Sequence, residues 1–311
     1  MKKTVISIIG LIFVISFVAI AGKILTRQSL NLETAKGDKL VVAASFYPIY
    51  FFASQIGGDK AQVFNITPPS AEPHDFEPTT QVIVKIHESN MLVMNGGNLE
   101  PWSQKLQDQL SGSNVKIVIA GAGLTNNEMV ENGQKIQDPH IWLDPLLAKK
   151  EAGEILAGFK ETDPKDAAYF EKNAELLVSR LDSLDKEYRD GLKNCQKKDF
   201  VTAHAAFGYI AAQYGLNQVA ISGVTPDEEP SSQKMAEIAD LVRKENIKII
   251  FFEKLVSPKL SQAIAAETGA KTLVLDPIEG ITKNETAAGQ NYFSLMENNL
   301  NNLKAALDCK S

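Results

Sequence analysis

Short apolar runs alternate with segments of helical spacing over most of this chain. Leu40 to Ala44, Val63 to Ile66, Met91 to Met94 and Val115 to Ala120 read as strands. Between two of them, Thr79 to Ser89 carries Val82, Ile83 and Ile86 at helical spacing, with His87 as a structural residue on the same helix. From Pro164 the pattern changes: Phe170, Ala174, Leu177, Leu181, Leu184, Tyr188 and Leu192 recur every three or four residues with charges between them. That spacing predicts one long amphipathic helix, opened by Asp163-Pro164 and weakened at its end by Gly191. Strands resume at Phe200 to Ala203, Gln218 to Ile221, Ile247 to Phe252 and Thr272 to Leu275, and Tyr292 to Leu307 reads as a closing helix. Strands regularly separated by helices predict an α/β fold with mostly parallel sheets. The mid-chain helix divides it into two lobes, residues 40–163 and 194–311, with residues 164–193 as a rigid connector and a cleft between the lobes.

The N-terminus stands apart. Met1-Lys2-Lys3 is a basic start, and Val5 to Ala21 is apolar and uncharged. Residues 1–21 therefore read as an export signal or N-terminal anchor, with Ala19-Ile20-Ala21 as a small-x-small cleavage pattern, and residues 22–39 as a linker. Export places Cys195 and Cys309, the only cysteines, in an oxidising compartment where a disulfide can form. Two buried free thiols are the alternative. A length of 311 residues, 44% hydrophobic and 23% charged, suits two folded lobes, and a net charge of −6 argues against a nucleic-acid partner.

Three of the four histidines fall in loops or at strand ends: Glu72-Pro73-His74-Asp75-Phe76-Glu77-Pro78, Asp138-Pro139-His140-Ile141-Trp142-Leu143-Asp144-Pro145 and Val201-Thr202-Ala203-His204. His204 and Asp276 each follow a strand directly, and α/β sheets bind ligands outside the carboxyl ends of their strands. Three imidazoles and one carboxylate make a tetrahedral donor set for zinc or a first-row neighbour. Taken singly, each has a structural alternative: His74 in a surface turn, Asp144 and Asp276 as cap or turn formers, His204 as a core histidine.

These phrases, with Gly57-Gly58-Asp59-Lys60, Asn95 to Trp102, Glu229-Pro230-Ser231, Phe251-Phe252-Glu253 and Leu275-Asp276-Pro277, resemble the zinc and manganese solute-binding proteins of bacterial ABC transporters. The similarity runs collinearly over about residues 40 to 308. It implies two α/β lobes joined by a long helix, with one metal between them held by His74, His140, His204 and Asp276. In that family a histidine at the third position is associated with zinc and a glutamate with manganese, so His204 favours Zn2+ as cargo over Mn2+. The segment Gly121 to Gln137 lacks the His-rich stretch of many zinc members, and no lipid-attachment cysteine follows the apolar run. A free or membrane-tethered extracytoplasmic monomer is expected, delivering metal to a permease driven by a cytoplasmic ATPase. Glu253 is a possible partner to one of the metal ligands.

No glycine-rich phosphate loop and no His-Glu-x-x-His helix is present, so the chain reads as a receptor without catalysis of its own. The rivals are a secreted zinc hydrolase, which would keep a coordination position for water, and an adhesin whose metal is structural.

Overall fold

A computed structural model describes residues 39–131 and 134–310. The expected signal at residues 1–21 and nearly all of the linker at 22–39 lie outside the described residues. Among the described residues no helix is long and apolar enough to cross a membrane.

The alternating pattern produces β1 (Leu40–Ala44), α1 (Tyr47–Gly57), β2 (Ala61–Asn65), α2 (Thr80–His87), β3 (Met91–Met94), α3 (Ser103–Leu110) and β4 (Lys116–Ile119). A hairpin of β5 (Glu128–Glu131) and β6 (Gln134–Gln137) follows, then α4 (Pro145–Thr162) and the long α5 (Ala167–Leu192). The second half holds β7 (Asp199–Thr202), α6 (Gly208–Tyr214), β8 (Asn217–Ala220), α7 (Ser232–Lys244) and β9 (Ile249–Phe252). It closes with α8 (Lys259–Thr268), β10 (Lys271–Val274), α9 (Lys283–Ala287) and α10 (Tyr292–Ala306).

Both four-stranded sheets are parallel, ordered β2-β1-β3-β4 and β8-β7-β9-β10. The second repeats the strand order of the first. In each, the chain reverses direction across the sheet between the first and third strands, opening a crevice at their carboxyl ends. Strands covered on both faces need no polar alternation, which is why Met91–Met94 is buried throughout and reads as an unbroken apolar run.

The long helix buries the seam its spacing predicts, with Phe170, Leu177, Leu181, Leu184, Tyr188 and Leu192 all at or below 3% exposure. Each fully buried side chain of this size contributes about 1.5–3 kcal/mol. Tyr188 donates its hydroxyl proton to the Met296 carbonyl at 2.7 Å, so the phenol enters the core satisfied. One continuous apolar cluster runs from β1 and α1 through α4 and α5 to α10, joining both halves.

Boundaries differ from the sequence reading where backbone pairing overrides apolar content. β2 starts at Ala61, because its ladder with Leu40–Ala44 extends beyond the apolar residues. A 3-10 turn at Pro164–Asp166 precedes α5, since Asp163 is held out of the helical region before proline. The β5–β6 hairpin was not anticipated, although Asn132-Gly133 between two polar strands is a hairpin signal. Cys195 and Cys309 form a disulfide across 114 residues, tying the chain just before β7 to the end of α10.

Candidate metal centre

Each of the three expected histidines leaves a strand end or a turn built by its local sequence. His74 lies in the proline-bounded loop after β2, His140 just beyond β6, and His204 two residues past β7. His140 is fixed before the 3-10 turn Ile141–Leu143, and Asp144 then caps α4 by accepting the Leu146 N–H at 2.8 Å. His87 ends α2 and is exposed, apart from the other three.

The three Nε2 atoms converge: His140 is 3.3 Å from His74 and 3.2 Å from His204. The fourth member is Glu279, whose Oε1 stands 3.5 Å from His74 Nε2, 3.2 Å from His140 Nε2 and 3.5 Å from His204 Nε2. One donor atom from each residue falls within 4.8 Å of all the others, and all four residues are buried. A tetrahedral ion with bonds of about 2.0–2.2 Å sets its donors about 3.3–3.6 Å apart, close to the separations of 3.2–3.5 Å that His140 and Glu279 keep from the other donors.

Asp276, expected as the fourth donor, is not in the cluster. Its Oδ1 accepts the Ile278 N–H at 2.8 Å and its Oδ2 pairs with Lys254 at 2.7 Å. The carboxylate forms a turn and an ion pair, and Glu279 arrives through that turn. Ile278 adopts φ +59°, a left-handed conformation costly for a β-branched residue, and this reverses the chain so that the next side chain enters the site. The signal available in the sequence was a second acid three residues past the strand-ending aspartate, followed by Gly280.

Two further carboxylates orient the rings. Asp138 Oδ1 lies 2.7 Å from His140 Nδ1 and accepts the His140 backbone N–H at 3.0 Å. Glu253, at the end of β9, does the same for His204: Oε2 is 2.7 Å from Nδ1 and Oε1 accepts the backbone N–H at 3.1 Å. A carboxylate facing Nδ1 favours a proton there, so that Nε2, which faces the cluster, is the nitrogen that would bind a metal once its own proton is lost. Asp138 went unrecognised in this role.

The four groups are electrostatically coupled. Burial pushes His74 down, whereas at His140 and His204 burial is outweighed by Asp138, Glu253 and Glu279, which raise both. Burial would raise Glu279 too, but three surrounding imidazoles hold it well below the usual carboxylate range. Glu72, whose Oε1 accepts the His74 N–H at 3.3 Å, is pushed up to about 9 by burial and then by the charge on Glu279. Neither Glu279 oxygen has a hydrogen-bond partner of ordinary geometry despite full burial. The imidazoles 3.2–3.5 Å away supply the positive charge that keeps this buried anion ionised, and a bound cation at the same place would do so without their protons.

Two parallel α/β halves, one long helix and a buried donor cluster drawn from the strand ends of both sheets define the class of two-lobed solute-binding receptors. A family model described as "Zinc-uptake complex component A periplasmic" matches residues 42–306, and the chain belongs to that family. The "High-affinity zinc uptake system protein ZnuA" of Bacillus subtilis is 39% identical over 305 residues, covering 94% of this chain and 95% of that protein. The solved Zn(II)-bound ZnuA-like domain of Streptococcus pneumoniae AdcA superposes with TM-score 0.75 at 41% identity, over 87% of this chain and 99% of that domain. The laminin binding protein Lmb of Streptococcus agalactiae, described as a bifunctional protein with adhesin and metal transporting activity, superposes with TM-score 0.79 at 34% identity, covering 86% and 99%. The resemblance seen in the sequence is borne out.

Proposed function

We propose that this chain is the extracytoplasmic receptor of an ABC-type zinc uptake system, and that His74, His140, His204 and Glu279 hold Zn2+ as cargo. The observation that carries the ligand assignment is the set of donor separations: His140 Nε2 and Glu279 Oε1 each stand 3.2 to 3.5 Å from the other donors, and all four donor atoms lie within 4.8 Å of one another. Three nitrogen donors favour zinc over hard cations, which prefer oxygen. Four protein donors complete the tetrahedron and leave no position for an activated water, so the site binds and does not hydrolyse.

Capture exchanges the hydration shell of the ion for these donors and competes with the protons that His140 and His204 hold to higher pH than a free imidazole. Glu279 neutralises one of the two positive charges, and Asp138 and Glu253 offset more of the field through the rings they orient. With every donor buried, entry and exit require the segments bearing them to move apart. The chain would then act as a monomer, delivering its ion to a membrane permease worked by a cytoplasmic ATPase.

Calorimetric titration of the metal-stripped full chain with Zn2+, Mn2+ and Fe2+ tests this reading, with His204→Ala and Glu279→Gln as comparison proteins. One zinc per chain, bound tightly and much more weakly by both variants, is expected. Manganese preference would change the cargo, and unaltered zinc binding by Glu279→Gln would overturn the ligand set.

A further inference from the structure

Beyond the four donors and the ring-orienting acids lies a second polar assembly, reaching from the buried Asp276 to the surface, that ligand binding does not use directly. Lys254 follows Glu253 at the end of β9 and points the other way. Its ammonium pairs with Asp276 at 2.7 Å and with Glu285, a residue of α9. Glu285 in turn closes a capping box, accepting the Thr282 N–H at 2.9 Å and the Thr282 hydroxyl at 2.8 Å. The segment between these anchors, Asp276 to Thr282, is the one that carries Glu279.

The same segment is gripped at its backbone. Asn299, buried on α10, accepts the Asp276 N–H at 2.8 Å and donates to the Asp276 carbonyl at 2.6 Å. Trp142 donates its indole N–H to the Pro277 carbonyl at 2.7 Å. Asp276 Oδ1 then holds the Ile278 N–H, fixing that residue at φ +59°. A β-branched residue stays in this region only where its surroundings over-determine it.

We infer that Lys254 is a positioning residue for Glu279: by clamping Asp276 and Glu285 together it keeps Ile278 left-handed and so holds the Glu279 carboxylate among the three imidazoles. The inference rests on the proposed ligand set. Without the ammonium, two carboxylates face each other across a partly exposed gap, and their repulsion pulls the Asp276 side chain away from the Ile278 N–H it accepts. Ile278 then relaxes toward an ordinary conformation and Glu279 swings away. Because Glu253 and Lys254 are neighbours, the end of one strand controls a donor on each side of the site, His204 through one residue and Glu279 through the next.

The test compares the full-length protein with Lys254→Met, Lys254→Arg, Glu279→Gln and Lys254→Met/Glu279→Gln, using chelator competition for Zn2+ and the visible spectrum of the Co2+ form. Outer partners of metal ligands typically change affinity by about 10- to 100-fold. Lys254→Met is expected to weaken zinc within that range and to lower the intensity of the tetrahedral Co2+ bands. Lys254→Arg should restore both, and the double variant should bind no more weakly than Glu279→Gln alone. A merely structural lysine would lower the melting temperature of the metal-free protein while its effect on affinity added in full to that of Glu279→Gln, which would overturn the inference. Wild-type affinity in Lys254→Met would overturn it while leaving the ligand set intact. Failure of Glu279→Gln to weaken zinc would remove the ligand reading and this inference together.

Discussion

Glu253 grips His204 twice, with one carboxylate oxygen 2.7 Å from Nδ1 and the other accepting the backbone N–H of the same residue at 3.1 Å. The pair fixes the ring's direction, so Nε2 faces the other donors. Glu253→Ala should weaken zinc binding by about 10- to 100-fold through this loss of orientation. Chelator competition measures the affinity, and an unchanged value would show that packing alone holds the His204 ring.

Zinc affinity should fall with acidification from a pH above the ordinary histidine range. In the metal-free protein His140 and His204 hold their protons to higher pH than a free imidazole, and the ion must displace them. The same raised values stabilise the metal-free fold below the unfolded histidine value, and that stability is lost as pH rises through the folded values. Glu279, held low, contributes stability above the unfolded carboxylate value that is lost only as pH falls through its depressed one. Melting curves with and without zinc across pH 5 to 9 should therefore diverge, the metal-free protein losing stability toward alkaline pH while the increment from zinc grows. Parallel curves would contradict this.

Replacing Cys195 and Cys309 with serine opens a loop spanning 114 residues. On chain-entropy grounds the loss is about 4–5 kcal/mol. The bridge precedes β7, whereas the metal donors follow the carboxyl ends of the strands, so zinc affinity should be unchanged. Denaturant unfolding and calorimetry on the same variant separate the two effects.

Trp142→Phe keeps most of the ring that packs on Phe46 with centroids 4.6 Å apart, but removes the donor to the Pro277 carbonyl. Leaving a buried carbonyl unpaired costs about 1–3 kcal/mol. Because Pro277 lies on the turn that leads to Glu279, the variant should lose zinc affinity as well as stability. A stability loss with unaltered affinity would show that the turn is held without Trp142.

The Leu181 side chain is fully buried in the seam of α5. Leu181→Ala should cost about 2–5 kcal/mol of unfolding free energy, measured by denaturant titration.

Local patterning decided a great deal of this molecule. Parallel strands covered on both faces must be short and apolar, so Met91–Met94 and Ile249–Phe252 were visible in the sequence, as was the seam from Phe170 to Leu192 that only one long helix can bury. His74, His140 and His204 stood out because imidazoles near strand ends in an α/β chain sit where such sheets bind ligands. Tertiary structure decided which acid joined them. Asp276 and Glu279 are both carboxylates in one loop, and choosing between them depends on Lys254, forty-nine positions past Ala205 in the neighbouring strand's loop, and on Ile278 adopting a backbone angle no periodicity encodes. Glu253 reached His204 the same way, across forty-nine residues and between neighbouring strands, whereas Asp138 meets His140 only two residues along the chain. Apolar spacing is a property of neighbours along the chain, whereas a metal centre is a property of neighbours in space.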